Sequence, residues 1–457
     1  MNDWHEAEQR VERAQELYES GRWEDALREL REALRINPDN GEWHFNLGLT
    51  LEAMDRLPEA ITAFRRAIEL QGEDAEAMNI LGAALMRAGR FAEAQQCFEQ
   101  AAAIDPDDAA SYANRIAVHA EQGQFDEAQT MFYLALQTDE HNSRAFVNMG
   151  QLQLQLGRYD AARDCFEQAR KLAPEDEQIF VRLAQAHRGA GRHDRAYRYY
   201  IRQLRRDPGD LDTLLELGGL LVEMDRPYEA AEKFRRVIEM EPTSAEAHLC
   251  LGELALRAGH IEAAETALHR AMRFDPVMVG VRSALAAAAL ERGRTHRARR
   301  LLRDEAKLHD HQTDARASDA MGVLMIDAGL HEQAAEVYRR LTEQHPDRPR
   351  LWLQRGVALL GAGETAAGER ALRQAARLDR GYGLAMYNLA LAGLNNGRLM
   401  RAAAWSRRAG RHDGDQPTVR RLARRIRRAL LMRRLMGRRP LRRGWRGRNP
   451  QSHNSPA

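Results

Sequence analysis

The chain contains little cysteine and no long apolar run. Its three cysteines, Cys97, Cys165 and Cys250, form no Cys-x-x-Cys pair, so they indicate buried, reduced thiols rather than a disulfide framework. No stretch approaches the ~18 consecutive apolar residues of a membrane span, and the first residues carry no basic-then-apolar export pattern. We therefore expect a cytoplasmic protein.

Catalytic motifs are also missing from the sequence. It holds no phosphate-binding glycine loop, no His-Glu-x-x-His and no Gly-x-Ser-x-Gly. One cluster, His309-Asp310-His311 with His296 upstream, has the residue types of a metal site but lacks a third fixed ligand, so a solvated loop is the competing interpretation. We predict a protein that is not an enzyme and uses no cofactor, metal or small-molecule substrate.

What the sequence does have is a period of 34 residues. Alanine recurs at this spacing from Ala26 to Ala298, and after a slip of two residues the series resumes at Ala334 and ends at Ala402. A period of 34 residues is typical of stacked helix–turn–helix pairs. The period therefore predicts an all-α array in which each pair packs on the next.

Other residue types follow the same period, and the surroundings of Ala162 illustrate them. Gly150 lies twelve residues before this alanine, where a small residue lets two helices approach closely. Phe166 lies one helical turn after it, and Pro174 lies twelve residues after it, where proline ends the second helix. Each period thus reads as helix, glycine-containing turn, helix and proline stop.

This pattern resembles the tetratricopeptide repeat family. The repeat closest to the family pattern contains Phe146, Met149, Gly150, Gly157, Tyr159, Ala162, Phe166, Ala169 and Pro174. The resemblance implies a right-handed superhelical solenoid whose first helices line a concave side. We expect about twelve repeats within residues 1–416, starting near residues 7, 41, 75, 109, 143, 177, 211, 245, 279, 315, 349 and 383. We expect residues 417–436 to form a basic amphipathic capping helix and residues 437–457 a disordered basic tail.

The resemblance also suggests where a ligand would bind. In family members, an asparagine just before the Leu-Gly pair of the first helix can hold a peptide backbone, because an amide both donates and accepts hydrogen bonds. Asn46, Asn114, Asn148 and Asn388 occupy that position, and Asn79 lies one residue earlier. The competing interpretation is that asparagine is simply the common residue there and bonds to neighbouring helices.

Two pairs of repeats offer further side chains on the corresponding face. Repeats 5 and 6 carry Arg144, Gln151, Gln178, Arg182, Gln185 and Arg188. Arginine can clamp a carboxylate with two hydrogen bonds, which favours an acidic peptide or a chain terminus. Repeats 11 and 12 carry Leu353, Leu360, Tyr387, Leu391 and Leu394, which either line a groove or lie under the C-terminal helix.

The net charge of +2 conceals a strong asymmetry. Residues 1–142 carry −17, residues 143–416 carry +5, and residues 417–457 carry +14 with no acidic residue. The net charges of residues 1–142 and 143–416 are also compatible with charged side chains that merely solvate the outer faces of the helices. In the last segment we predict polyanion contacts from Arg420, Arg421, Arg424, Arg425, Arg427 and Arg428.

The sequence therefore leads to two hypotheses on function. The first is a non-enzymatic scaffold that binds a peptide segment or a partner protein in its concave groove. The alternative is an adaptor subunit that its arginine-rich C-terminal segment anchors to an anionic membrane surface or to nucleic acid. The two are compatible, since a capping helix can also carry exposed arginines.

Overall fold

A computed structural model describes residues 2–308 and 315–436 of the chain. Within these ranges the chain forms 25 α-helices and no strand, so the all-α prediction is confirmed. The histidine cluster at 309–311 and the predicted basic tail at 437–457 lie outside the described residues. No helix in the described ranges is long and apolar enough to cross a membrane.

The chain divides into two compact units, with the boundary after Arg226. Unit one contains α1 (Asn2–Glu19), α2 (Trp23–Ile36), α3 (Gly41–Ala53), α4 (Leu57–Gln71), α5 (Ala75–Arg87), α6 (Phe91–Ile104), α7 (Ala109–Glu121), α8 (Phe125–Thr138), α9 (Ser143–Gln155), α10 (Tyr159–Leu172), α11 (Gln178–Gly189), α12 (His193–Arg206) and α13 (Leu211–Glu223). Unit two contains α14 (Pro227–Met240), α15 (Ala245–Arg257), α16 (Ile261–Phe274), α17 (Val281–Glu291), α18 (Thr295–Leu308), α19 (Ala315–Asp327), α20 (His331–Gln344), α21 (Pro349–Gly361), α22 (Thr365–Leu378), α23 (Gly383–Asn395), α24 (Leu399–His412) and α25 (Pro417–Met436).

Within each unit, consecutive helices form hairpins that stack in chain order. A first helix, such as α9, packs closely on the second helix that follows it, α10, and that second helix packs on the first helix of the next hairpin, α11. First helices also contact each other, as α7 does α9. At the end of unit two, α25 packs on α24 and α23. This nearest-neighbour pattern is the one that a repeat array requires.

The residues of the 34-residue period form the core of the hairpins. All eleven alanines of the series are fully buried. The aromatic side chains that follow them lie on the glycines of the first helices. A Cβ added to Gly82 or Gly150 would fall 2.5 Å from a ring atom of Phe98 or Phe166, respectively. The glycine therefore leaves the space that the aromatic ring fills.

The first helices of many repeats begin at a side-chain cap that follows the same period. In each, a carboxylate, amide or hydroxyl oxygen accepts a hydrogen bond from a backbone N–H of the first helical turn; these caps are Asn40, Asp74, Asp108, Asn142, Asp210 and Ser244. Such caps satisfy backbone donors that the helix itself leaves unpaired. They fix where each first helix starts.

The turn inside each hairpin requires a left-handed backbone conformation. Gly157 supplies it with a φ of 69°, and glycine occupies this place in most repeats. Asp55 adopts the same conformation with a φ of 57°, which aspartate tolerates better than most non-glycine residues. The turn is therefore kept even where the glycine is replaced.

Two buried histidines make the stability of the chain depend on pH. Burial lowers the pKa of His187, and the nearby Arg195 lowers it further. Burial also lowers the pKa of His248, and the hydrogen bond to the Pro242 carbonyl partly offsets this effect. The unfolded chain binds these protons near pH ~6.5 and the native chain does so only at lower pH. The free energy of unfolding therefore decreases as the pH falls from ~6.5 toward the lower pKa values of the two histidines in the folded chain.

We expect the free energy of unfolding to be lower at about pH 5.5 than at about pH 7.5, where both histidines are neutral in either state. Urea denaturation at the two pH values measures this difference. Replacing the buried ring, as in His187→Phe, should reduce the difference, whereas replacing the exposed His141 by Gln should leave it unchanged. An equal effect of both variants would contradict the assignment.

Candidate functional site

Polar side chains of successive first helices form a continuous surface on unit one. We call it the first-helix face, and it comprises Asn46, Asn79, Asn114, Arg144, Asn148, Gln151, Arg182, Gln185 and Arg188. From α5 to α13, hydrogen bonds join each first helix to the next across this face. The residues chosen from the sequence therefore lie on neighbouring first helices, apart from Asn46 on α3 and Asn388. Asn388 lies on α23 of unit two, where its amide nitrogen donates to the Leu384 carbonyl at 2.9 Å.

Asn79 and Asn114 bond to each other where α5 meets α7. The amide nitrogen of Asn79 donates to the Asp108 carboxylate at 2.6 Å and to the Ser111 hydroxyl at 3.0 Å. The amide oxygen of Asn79 accepts a hydrogen bond from the Asn114 nitrogen at 3.3 Å. Asn79 thus has partners for both its nitrogen and its oxygen, and its main contact is with the cap of α7.

Asn148 is anchored on one side only. Its amide nitrogen donates to the backbone carbonyl of Ala113 at 2.8 Å. Among the described residues, the amide oxygens of Asn114 and Asn148 have no hydrogen-bond partner, and neither oxygen is buried. Each asparagine is therefore held in place by its nitrogen while its oxygen stays available as an acceptor.

Asn46 and Arg144 have free polar groups on the same face. Asn46 is half-buried, and its side chain makes no hydrogen bond within the part of the chain that the structure describes. Arg144 is exposed and has no ion pair with any described residue. Both can meet a ligand without first losing an internal contact.

Arg182 lies at the middle of the surface without a counter-charge. Its guanidinium is half-buried and donates to the Gln151 side-chain oxygen at 3.3 Å. No carboxylate within the described ranges forms an ion pair with it. Burial lowers the pKa of Arg182, although Asp176 opposes this effect. A cation partly removed from water is a natural place for an anionic group of a ligand.

Arg188 is already paired. Its guanidinium donates to the Glu216 carboxylate at 2.6 Å and to that of Glu223 at 2.8 Å. Burial alone would lower the pKa of Arg188, but the hydrogen bond and charge of Glu223 raise it overall. Gln185 also reaches Glu216, at 3.4 Å. This end of the face is therefore closed by internal ion pairs, which the sequence analysis did not foresee.

The C-terminal helix α25 presents arginines on its outer surface. Val419, Leu422 and Ile426 are buried against the last repeat, and the arginines predicted to bind polyanions are all exposed: Arg420, Arg421, Arg424, Arg425, Arg427 and Arg428. Arg420 pairs with Asp415 at 2.6 Å, and the other five have no acidic partner among the described residues. The helix thus has one packed stripe and one strongly cationic side.

The apolar side chains of repeats 11 and 12 lie in the core. Tyr387, Leu391 and Leu394 pack against the cluster that Leu422 and Ile426 of α25 complete. The other two side chains, Leu353 and Leu360, are buried in the cluster of the two repeats themselves. They do not line an open groove.

A basic cavity of about 480 Å³ lies mainly on the second helices α22 and α24 of the last two repeats. Arg377, Arg408 and Arg411 line it together with Trp405. The guanidinium of Arg408 lies 4.8 Å from the centre of the Trp405 ring, within the range of a cation–π contact. Trp405 also packs against the apolar stripe of α25, so its ring contacts both the cavity and the C-terminal helix.

In the described ranges there is no group of three or more His, Cys, Asp or Glu side chains placed to hold a metal ion.

Family models for the tetratricopeptide repeat match almost the whole repeat region. One model matches residues 11–75, 50–109, 81–143 and 353–416, and a second matches 119–186 and 226–288. Three further models of the same description match 315–358, 179–212 and 279–304. The chain belongs to the tetratricopeptide repeat family. This membership supports the general role of a scaffold for interactions with other proteins.

Solved structures of repeat proteins are similar to this chain only loosely. Yeast Tom70 is 13% identical, covers 94% of this chain and 97% of its own, and has a TM-score of 0.40. Cut9 in the APC/C Cut9–Hcn1 complex is 13% identical, covers 90% of this chain and 95% of its own, and has a TM-score of 0.45. PilF of Pseudomonas aeruginosa is 22% identical, covers 44% of this chain and 92% of its own, and has a TM-score of 0.38. Among curated proteins, no sequence matches the chain.

Proposed function

We propose that this tetratricopeptide repeat protein is a non-enzymatic scaffold that binds a peptide segment of a partner protein along the first-helix face of unit one. The observation that carries the proposal is Arg182, a half-buried guanidinium whose only hydrogen-bond partner in the described ranges is the neutral Gln151. Nearby arginines on the second helices, such as Arg163 and Arg170, have carboxylate partners. An acidic side chain or chain terminus of the ligand would supply the missing charge.

The asparagines suit the backbone of such a ligand. Asn114 and Asn148 are fixed by their amide nitrogens, so their free oxygens are already oriented to accept peptide N–H groups. Fixing the side chain before binding lowers the entropy cost of the new hydrogen bonds. Arg144, exposed one turn before Asn148, offers a second cation for an acidic ligand.

We expect Arg182→Gln to weaken the binding of acidic peptides at least tenfold. A charge-assisted hydrogen bond to a guanidinium contributes on the order of 1.5–3 kcal/mol, which corresponds to a factor of about 10 to 150. Peptides selected from a phage-displayed random library on the full-length protein provide the ligands, and isothermal titration calorimetry measures their affinities. Asn114→Ala combined with Asn148→Ala should also weaken binding, with little change in melting temperature.

The matched control is Arg205→Gln, which removes the same charge from an exposed position on α12. It should leave the peptide affinity within about twofold, because exposed charges act weakly at a distance in salt. The proposal fails if Arg182→Gln binds the selected peptides as well as this control does. A large loss of stability in the double asparagine variant would instead assign those residues a structural role.

A second candidate function is that of an adaptor anchored by α25 to an anionic membrane surface or to nucleic acid. The observation in its favour is the row of five exposed arginines without acidic partners among the described residues, beside the basic cavity at Trp405. The guanidinium group of arginine can bind two phosphate oxygens at once, and an aromatic ring offers a flat apolar surface on which a base can stack. The two functions use different units of the chain and can coexist.

A further inference from the structure

A second basic cavity lies on unit one, away from the first-helix face. Its volume is about 630 Å³; it is open to solvent, and side chains from three helices of repeats 5 and 6 line it. α12 contributes Arg195, Arg198, Tyr199 and Arg202 from successive turns. We call it the arginine cavity. It belongs to the side of the array that the second helices form, whereas the proposed peptide surface belongs to the first helices.

The three arginines of α12 have no counter-charge. No carboxylate among the described residues forms an ion pair with Arg195, Arg198 or Arg202. Arg198 donates only to the backbone carbonyl of Asp194, at 3.3 Å, and Arg202 lies 4.3 Å from the centre of the Phe180 ring. Their charge is therefore open to a ligand.

The arginines of α10 on the opposite wall are neutralised. Arg163 pairs with Asp164 at 2.6 Å, and Arg170 pairs with Glu167 at 2.6 Å. The Tyr199 hydroxyl donates to Glu167 at 3.0 Å, so the one carboxylate of the cavity is engaged on both sides. The excess positive charge of the cavity thus comes from α12.

His187 is the independent observation that points to a ligand. It lines the cavity from α11, is only 3% exposed, and its Nδ1 has no hydrogen-bond partner among the described residues. Its ring is stacked on Tyr199 with the centres 5.6 Å apart, so the imidazole is held in place. A buried polar nitrogen without a partner is costly, and a ligand atom that bonds to it would remove that cost.

We propose that the arginine cavity binds a small ligand with two or more phosphate groups. Arg195, Arg198 and Arg202 extend over seven residues, or about 10 Å of helix, which is longer than one phosphate group. Each guanidinium can bind two oxygens of a phosphate group. Phe180 and His187 are each stacked on the ring of Tyr199, and Arg202 covers Phe180. These rings are therefore already occupied, and recognition depends on phosphate rather than on stacking of a base.

The test is a titration of the full-length protein with sodium tripolyphosphate at about pH 7.5. The exposed arginines of α25 would attract the same anion, so the measurement must report on the cavity itself. The ring signal of His187 in NMR spectra does so, and the His187→Phe spectrum identifies it by its absence. We expect a saturable shift of this signal, and at least a tenfold loss of affinity in the variant Arg198→Gln/Arg202→Gln.

The Arg205→Gln variant is the matched control, because it removes charge from the same helix outside the cavity. It should change the affinity less than twofold. The proposal is overturned if the His187 signal does not move with tripolyphosphate, or if Arg205→Gln weakens binding as much as the double variant. It is also overturned if a doubly phosphorylated peptide moves the signal and tripolyphosphate does not, because the ligand is then a protein segment.

Binding should also make His187 easier to protonate. The charged groups around the ring are Arg163, Glu167 and Asp160 from α10, and Arg192 and Arg195 at the start of α12. Burial lowers the pKa of His187, and the arginines lower it further. A bound polyanion opposes this repulsion, so the NMR titration should give a higher pKa for His187 with tripolyphosphate than without it. An unchanged pKa would contradict direct contact with the anion.

Discussion

Phe166→Ala should lower the free energy of unfolding by about 3–5 kcal/mol, the usual cost of removing a buried phenylalanine side chain. The ring is fully buried and occupies the space above Gly150. It packs in the cluster that joins α10 to the next first helix through Ile179 and Leu183. Its loss therefore weakens both the hairpin and its contact with the following repeat.

Urea denaturation, followed by circular dichroism, measures this effect. Phe125→Ala removes the same side chain from the start of α8, where it is 42% exposed. We expect this control to cost about 1 kcal/mol or less, because little packing is lost at a partly exposed site. Similar losses in both variants would show that the burial of Phe166 does not set its contribution to stability.

Charge removal from α25 should change polyanion binding by at least an order of magnitude. Each arginine–phosphate contact releases counterions, so the affinity for single-stranded RNA falls with salt in proportion to the number of contacts. We expect the full-length protein to bind RNA or anionic vesicles at ~50 mM salt and to lose most of this affinity by ~200 mM. Replacing Arg421, Arg424, Arg425 and Arg428 by glutamine should reduce the slope of log affinity against log salt by about 3.

The control for this variant removes four exposed arginines elsewhere. Arg205, Arg235, Arg270 and Arg303 lie on second helices of the two units, and their replacement by glutamine gives the same change in net charge. If both quadruple variants lose affinity equally, the chain attracts polyanions without a defined site. If the unmodified protein binds neither RNA nor phosphatidylserine vesicles at ~50 mM salt, the adaptor function is wrong.

The sequence predicted the fold well because the period records packing that every repeat needs. Ala162 and Gly150 must be small for helices to approach, and Pro174 cannot continue a helix. The caps at Asp108 and Asn142 follow the same period, so the sequence also contained the starts of the first helices. The division into two units after Arg226, between α13 and α14, has no mark in the period.

The site was predicted in composition but not in its internal contacts. The sequence predicts that Arg188 clamps a ligand, but Glu216 and Glu223 of the next first helix, 28 and 35 residues away, already bind it. Such spacings, close to one repeat, are a signal that sequence analysis can use in repeat proteins. The unpaired state of Arg182 could not be predicted, because it depends on which neighbours reach it. The arginine cavity was missed, since it combines side chains from α10, α11 and α12.

Site-specific photo-crosslinking tests the central claim most directly. A photoreactive p-benzoylphenylalanine in place of Ala117 lies one helical turn after Asn114 on the first-helix face, and one in place of Arg205 lies on α12 as the control. With a peptide selected on the full-length protein, we predict crosslinks from position 117 and little or none from position 205. We also predict that Arg182→Gln abolishes the crosslinks from position 117. Crosslinks from position 205 but not from position 117 would contradict peptide binding on the first helices.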